Sequence, residues 1–94
     1  MSDKHYYAIA VGRVVGVYFI KESEFDTIAR PSVRRFPRNT YKRFDREEDA
    51  IYFMRTNMTS ENDDIQFFDN SMNILKVVKM DATDEQPETV GLDD

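Results

Sequence analysis

Two runs, His5-Tyr6-Tyr7-Ala8-Ile9-Ala10-Val11 and Val14-Val15-Gly16-Val17-Tyr18-Phe19-Ile20, flank the dipeptide Gly12-Arg13, and their reading decides the fold. Both are rich in aromatic and β-branched side chains, which suit a pleated, half-buried surface. The Gly-Arg dipeptide between them supplies a turn, so the two runs predict a β-hairpin. Glycine at 12 and at 16 serves for turning the chain or for letting another segment come close to the backbone.

Working outward, Lys21 to Arg30 sets Phe25 and Ile28 three apart among Glu22, Glu24 and Asp26, the pattern of a short amphipathic helix with an acidic start, ended by Pro31. Pro31 to Asn39 holds two prolines and predicts a loop, with Val33 and Phe36 as its anchors to the core. Asn39 to Phe44 predicts a third strand. Asp45, with Glu48 three residues later, resembles a capping box opening a helix that runs to about Met58 and puts Ala50, Phe53 and Met54 on one face. After a polar loop over Ser60 to Asp64, Ile65–Phe68 and Ile74–Met80 predict a second hairpin around Asp69-Asn70-Ser71-Met72-Asn73. The fold class is α+β: a small three-stranded antiparallel sheet packed with two helices in the order β-β-α-β-α, plus a C-terminal hairpin. Residues 5–58 form the module, 59–80 the hairpin extension, and 81–94 an acidic tail with little to bury, expected to be disordered.

With 94 residues there is room for one core. Hydrophobic residues at 40%, including five tyrosines and seven phenylalanines, are enough to build it. The absence of cysteine rules out disulfides, thiolate metal sites and cysteine nucleophiles, and a single histidine makes a histidine-dependent triad or a multi-histidine metal site improbable. No cofactor and no metal are expected. Asp63, Asp64 and Asp69 lack the glycine and terminal glutamate of a calcium loop, and no phosphate-loop motif follows Gly12 and Gly16. No apolar run reaches the roughly 20 residues a membrane span needs, and no secretory signal is visible at the start, so the expected setting is intracellular, cytoplasmic or nuclear, without membrane contact.

The formal charge of −5 hides a strong asymmetry. Six acids and no base lie in residues 81–94, which leaves 13 bases against 12 acids in residues 1–80. Seven bases, Arg30, Arg34, Arg35, Arg38, Lys42, Arg43 and Arg46, face one acid, Asp45, between positions 30 and 46. Such a window is either a patch for an anionic partner or a solvated loop, and the detached acidic segment is a competitor for the same charges.

The order strand, Gly-Arg turn, strand, helix, aromatic-basic-basic strand, helix resembles the N-terminal hybrid-binding domain of eukaryotic ribonuclease H, also seen in the viroplasmin protein of caulimoviruses. The matching residues are Tyr7-Ala8-Ile9-Ala10-Val11-Gly12-Arg13, Gly16-Val17-Tyr18, Val33-Arg34-Arg35-Phe36-Pro37, Tyr41-Lys42-Arg43-Phe44, and Glu47, Ala50 and Phe53. They span roughly residues 6 to 55. The resemblance implies non-catalytic, sequence-tolerant binding of double-stranded RNA or an RNA/DNA hybrid through the minor groove. Gly12 and Arg13 would offer backbone N–H groups to 2′-hydroxyls, and Tyr41, Lys42 and Arg43 would meet sugar and phosphate; Arg34, Arg35 and Arg38 extend the basic surface. The family carries a tryptophan soon after the second strand, whereas here direct counting finds Lys21, and an insertion of a few residues would put Phe25 in its place.

A second class of function is a protein-interaction or self-association module that has lost nucleic-acid binding. Its basis is the segment Ile65–Met80, where apolar residues fall on both faces of the hairpin. Either one face stays exposed and a second copy covers it as a homodimer, with Phe68 and Val77 in the interface, or the hairpin extends the sheet and tucks its second face under the helix that follows Asp45.

Overall fold

A computed structural model describes residues 3–58 and 64–79. β1 (Lys4–Val11) and β2 (Gly16–Lys21) form the expected hairpin, paired from Lys4 opposite Lys21 to Ile9 opposite Gly16. β3 (Thr40–Phe44) lies antiparallel on the other side of β1, with Tyr6 opposite Phe44 and Tyr7 opposite Arg43. The sheet does not stop at three strands. β4 (Ile65–Phe68) lies parallel to β2, with Val17 opposite Phe67 and Tyr18 opposite Phe68, and β5 (Ile74–Val78) closes the far edge antiparallel to β4. The result is one five-stranded mixed sheet in the order β3-β1-β2-β4-β5. Gly16 makes the extra pairing possible: a Cβ there would stand 2.8 Å from the Gln66 carbonyl oxygen and 2.6 Å from a Phe68 ring carbon.

Alternation along the strands gives the sheet two apolar faces. On one, Tyr7, Ile9, Tyr18, Ile20 and Phe68 pack under Ala29 and Val33, with Phe25 and Ile28 partly buried beside them. On the other, Ala8, Ala10, Val17, Ile65 and Phe67 pack under Ala50 and Met54 of the longer of two α-helices, α2 (Glu47–Asn57), the shorter being α1 (Arg30–Val33). Alanine at 8 and 10 lets α2 lie close to the middle of the sheet. Phe44 and Phe53 meet at 5.4 Å on this side, half-buried at its margin. Because β4 contributes to both faces, Phe68 is buried against Tyr18 at a ring separation of 5.4 Å. It therefore belongs to the core and not to an exposed interface, and the arrangement in which the hairpin extends the sheet and packs under α2 is the one found.

Two local expectations are corrected. Pro31 does not end the first helical segment: a 3₁₀ turn (Glu22–Glu24) and a π turn (Phe25–Ala29) lead into α1 (Arg30–Val33), in whose first turn Pro31 sits. A proline is tolerated where its missing N–H has no partner to lose. Asp45 does not cap α2; Arg46 is the N-cap residue, and the Asp45 carboxylate instead meets His5 Nδ1 at 2.9 Å. The acidic first turn, Glu47, Glu48 and Asp49, still suits the helix dipole. The acidic tail and most of the loop before β4 lie outside the described residues.

Candidate nucleic-acid interface

The lower end of the sheet, where β1 ends and β2 begins, is built around Ser32. Arg13 N–H donates to the Ser32 carbonyl at 2.7 Å, and Val14 N–H donates to Ser32 Oγ at 2.8 Å. The Ser32 hydroxyl in turn donates to the Val14 carbonyl at 3.0 Å. Gly12 is required by this closure, since a Cβ would stand 2.8 Å from both the Ser32 carbonyl oxygen and Ile9 Cγ2. The Arg13 guanidinium crosses to the carbonyls of Pro31 (2.8 Å) and Arg34 (2.7 Å) and lies over the Phe36 ring. The Arg13 and Val14 amides are thus engaged within the chain, and Arg13 acts as a clamp that holds the loop from Ser32 to Asn39 against the turn.

That loop carries Arg34, Arg35 and Arg38 outward, all three exposed. Arg35 (φ 58°) and Arg38 (φ 62°) adopt the left-handed conformation, which costs an arginine on the order of 1 kcal/mol relative to glycine. The Asn39 side-chain amide fixes the loop by donating to the carbonyls of Val33 and Phe36 at 3.0 and 3.1 Å. Arg34 and Arg35 share the wall of a shallow hollow of roughly 350 Å³ with Arg13, Arg30 and Asp26.

Beside it, between β3 and the first helical segment, lies a second hollow of roughly 400 Å³. Phe25 stacks on Tyr41 at 5.7 Å and 29°, and packs on Tyr7 at 4.9 Å. Arg30 reaches over the Phe25 ring while pairing with Asp26 at 2.7 Å, and Arg43 stands 4.0 Å from Glu22. At the floor is the Tyr7 hydroxyl, buried and met by no hydrogen-bond partner. Burial pushes its pKa up, and the neighbouring Arg43 opposes that by favouring the ionised form. The hollow therefore offers an oxyanion the Arg43 guanidinium, beside aromatic walls that suit a sugar face.

Residues 5–54 match the family model of the ribonuclease H1 N-terminal domain. The chain belongs to that family. No curated protein and no solved structure matches it. The family is generally one of nucleic-acid-binding domains and is the non-catalytic part of the enzyme it is named for.

Within this ribonuclease H1 N-terminal domain, the structure brings some of the sequence-selected residues together and separates others. Tyr41 and Arg43 fall opposite Ile9 and Tyr7 and share their face, on the aromatic hollow. Lys42, between them, falls opposite Ala8 on the α2 face, its ammonium over the Phe44 ring. Arg13, Arg34 and Arg35 line the neighbouring hollow, with Gly12 in the adjoining turn and Arg38 further along the loop. Phe25 sits against Tyr41. Sequence reasoning missed Tyr7 and Arg30 as members of the hollow. Alternation from Ile9 puts Tyr7 on the core face, which is the signal that its hydroxyl is buried. Among the described residues no helix is long and apolar enough to cross a membrane, and no three His, Asp or Glu side chains gather as metal ligands.

Proposed function

We propose that this domain binds double-stranded RNA or an RNA/DNA hybrid, without cleaving it and without reading its sequence, along the surface that runs from the arginine loop to the Tyr41–Arg43 hollow. The observation that carries the reading is the hollow in which Arg43 stands beside the Phe25–Tyr41 stack. A backbone phosphate would meet the Arg43 guanidinium, and the adjoining sugar would lie on the rings. An A-form minor groove is wide and shallow, so a low surface with a few cationic groups can follow its shape. Gly12 and Arg13 then act by fixing the loop, with the exposed charges of Arg34, Arg35 and Arg38 supplying further phosphate attraction.

Tyr41→Ala tests this reading. Tyr41 is half exposed at the sheet edge, so the chain still folds, and duplex affinity falls severalfold. Undiminished affinity in a folded Tyr41→Ala chain would remove the hollow from the binding surface. A second reading, contact with a protein or with another copy, is favoured by the open β5 edge, where Ile74, Leu75 and Val77 are each about half exposed.

A further inference from the structure

Arg34, Arg35 and Arg38 enter none of the ion pairs among the described residues, whereas Arg30, Arg43 and Arg46 each have a carboxylate. Two of the three, Arg35 and Arg38, are held in left-handed backbone that glycine would occupy at less cost. The chain beyond β5 carries six acids and no base between residues 81 and 94.

Topology puts the end of β5 and the arginine loop at the same end of the sheet. β5 runs antiparallel to β4, and Val78 pairs with Ile65. β4 is parallel to β2, so this end of β5 lies at the Gly16 end of the sheet, where the Gly12-Arg13 turn and the loop into Thr40 also lie. Four strand spacings separate β5 from β3, into which the loop leads, about 19 Å. Glu85, seven residues past Val78, can reach about 23–25 Å. Asp84, Glu85 and Glu88 therefore have the length to meet the loop, and their charge is complementary to it.

We infer that the acidic segment Asp81–Asp94 docks on the loop bearing Arg34, Arg35 and Arg38 in the same molecule, as an internal polyanion. The inference does not depend on which external ligand the domain takes. Its test compares the full chain with a full-length variant in which the six acids become amides (Asp81→Asn, Asp84→Asn, Glu85→Gln, Glu88→Gln, Asp93→Asn, Asp94→Asn), by amide and arginine side-chain NMR signals without nucleic acid. At about 20 mM salt the signals of Arg34, Arg35 and Arg38 differ between the two chains while those around Arg46 do not, and at about 500 mM the difference disappears by screening. A second variant, Arg35→Gly with Arg38→Gly, relieves backbone strain and so keeps the fold, and in it the signals of the acidic segment move to those found for the wild type at high salt. Identical low-salt spectra for wild type and the amide variant would overturn the inference. So would a difference that grows with protein concentration over a hundredfold range, which would mean contact between two copies.

Discussion

The two edges of the sheet differ in what they present. β3 offers Tyr41, Lys42 and Arg43, all exposed, and its neighbour in the fold is the aromatic hollow. β5 offers Ile74, Leu75 and Val77, and its single cation, Lys76, is drawn across to Glu47 at the start of α2. Among the described residues each edge has one strand partner and one open side. Lysine and arginine on an open edge discourage the addition of another strand while inviting phosphate. An apolar edge with its charge neutralised does the reverse. One small domain thus separates a surface suited to nucleic acid from one suited to a polypeptide by the full width of its sheet, and neither surface has to compromise with the other.

The sharpest way to break this comparison is at the β4–β5 hairpin itself. Phe68→Asp buries an unpaired carboxylate beside Tyr18 and Gly16 and should cost more than about 4 kcal/mol, enough to unfold the domain in a thermal or urea melt. Val77→Asp, one strand further out and half exposed, should stay within about 0.5 kcal/mol of wild type. Equal effects would mean that β4 is no more integral to the sheet than β5. The Val77→Asp chain also addresses the open edge, because any concentration-dependent increase in size seen for the wild type by light scattering should be lost in it.

A smaller effect sharpens the β3 side. Arg43→Ala should weaken duplex binding about tenfold or more, the value of a charge-assisted contact in the hollow. Lys42→Ala, directed to the α2 face, should weaken it less, at a fixed salt concentration. Losses of the same size from both would return the binding surface to the strand edge as a whole, with no distinction between its faces.

Much of this was legible in the sequence because its signals are local. The alternating apolar runs of β1 and β2, the Gly-Arg turn, the strand ending in Phe44 and the helix with Ala50 and Met54 inward all depend on neighbours within a few residues. The parallel pairing of β4 with β2 joins Tyr18 to Phe68 and leaves no local trace, apart from a glycine at 16 whose close-approach role is visible once Phe68 lies against it. Pro31 reads as a stop in the sequence because the π turn just before it is not encoded by any periodicity. At the candidate site, Tyr41-Lys42-Arg43 formed one motif along the chain, yet period two divides it between faces. The unpartnered Tyr7 hydroxyl could be found only with its surroundings in place, since nothing in a strand sequence says whether a buried tyrosine has an acceptor.

The least of the expected effects is on pH. Glu24 accepts from the Asn70 side chain at 2.9 Å and from Lys21 N–H at 2.9 Å, and Asp69 accepts from the Asn73 and Ser71 amides at 2.9 and 2.8 Å. These bonds hold both carboxyls below their usual range. A carboxyl with a lowered pKa in the folded state binds fewer protons there than in the unfolded chain, so its contribution is complete above about pH 4 to 5 and is lost as pH falls through the folded value. Melting temperature should therefore decline below about pH 4, and Asn70→Ala should reduce that decline slightly by removing one of the bonds to Glu24. A decline of unchanged size would leave the acid sensitivity to other carboxyls.

The central claim, that the β3 side of the domain follows an A-form groove, is tested most directly by titrating the full chain with RNA/DNA hybrid, double-stranded RNA and DNA of one sequence at one salt concentration. The account predicts tighter binding to both duplexes that contain RNA than to DNA, because only they present 2′-hydroxyls in a wide, shallow minor groove. Equal affinity for all three would contradict it and leave an unspecific cationic surface in its place.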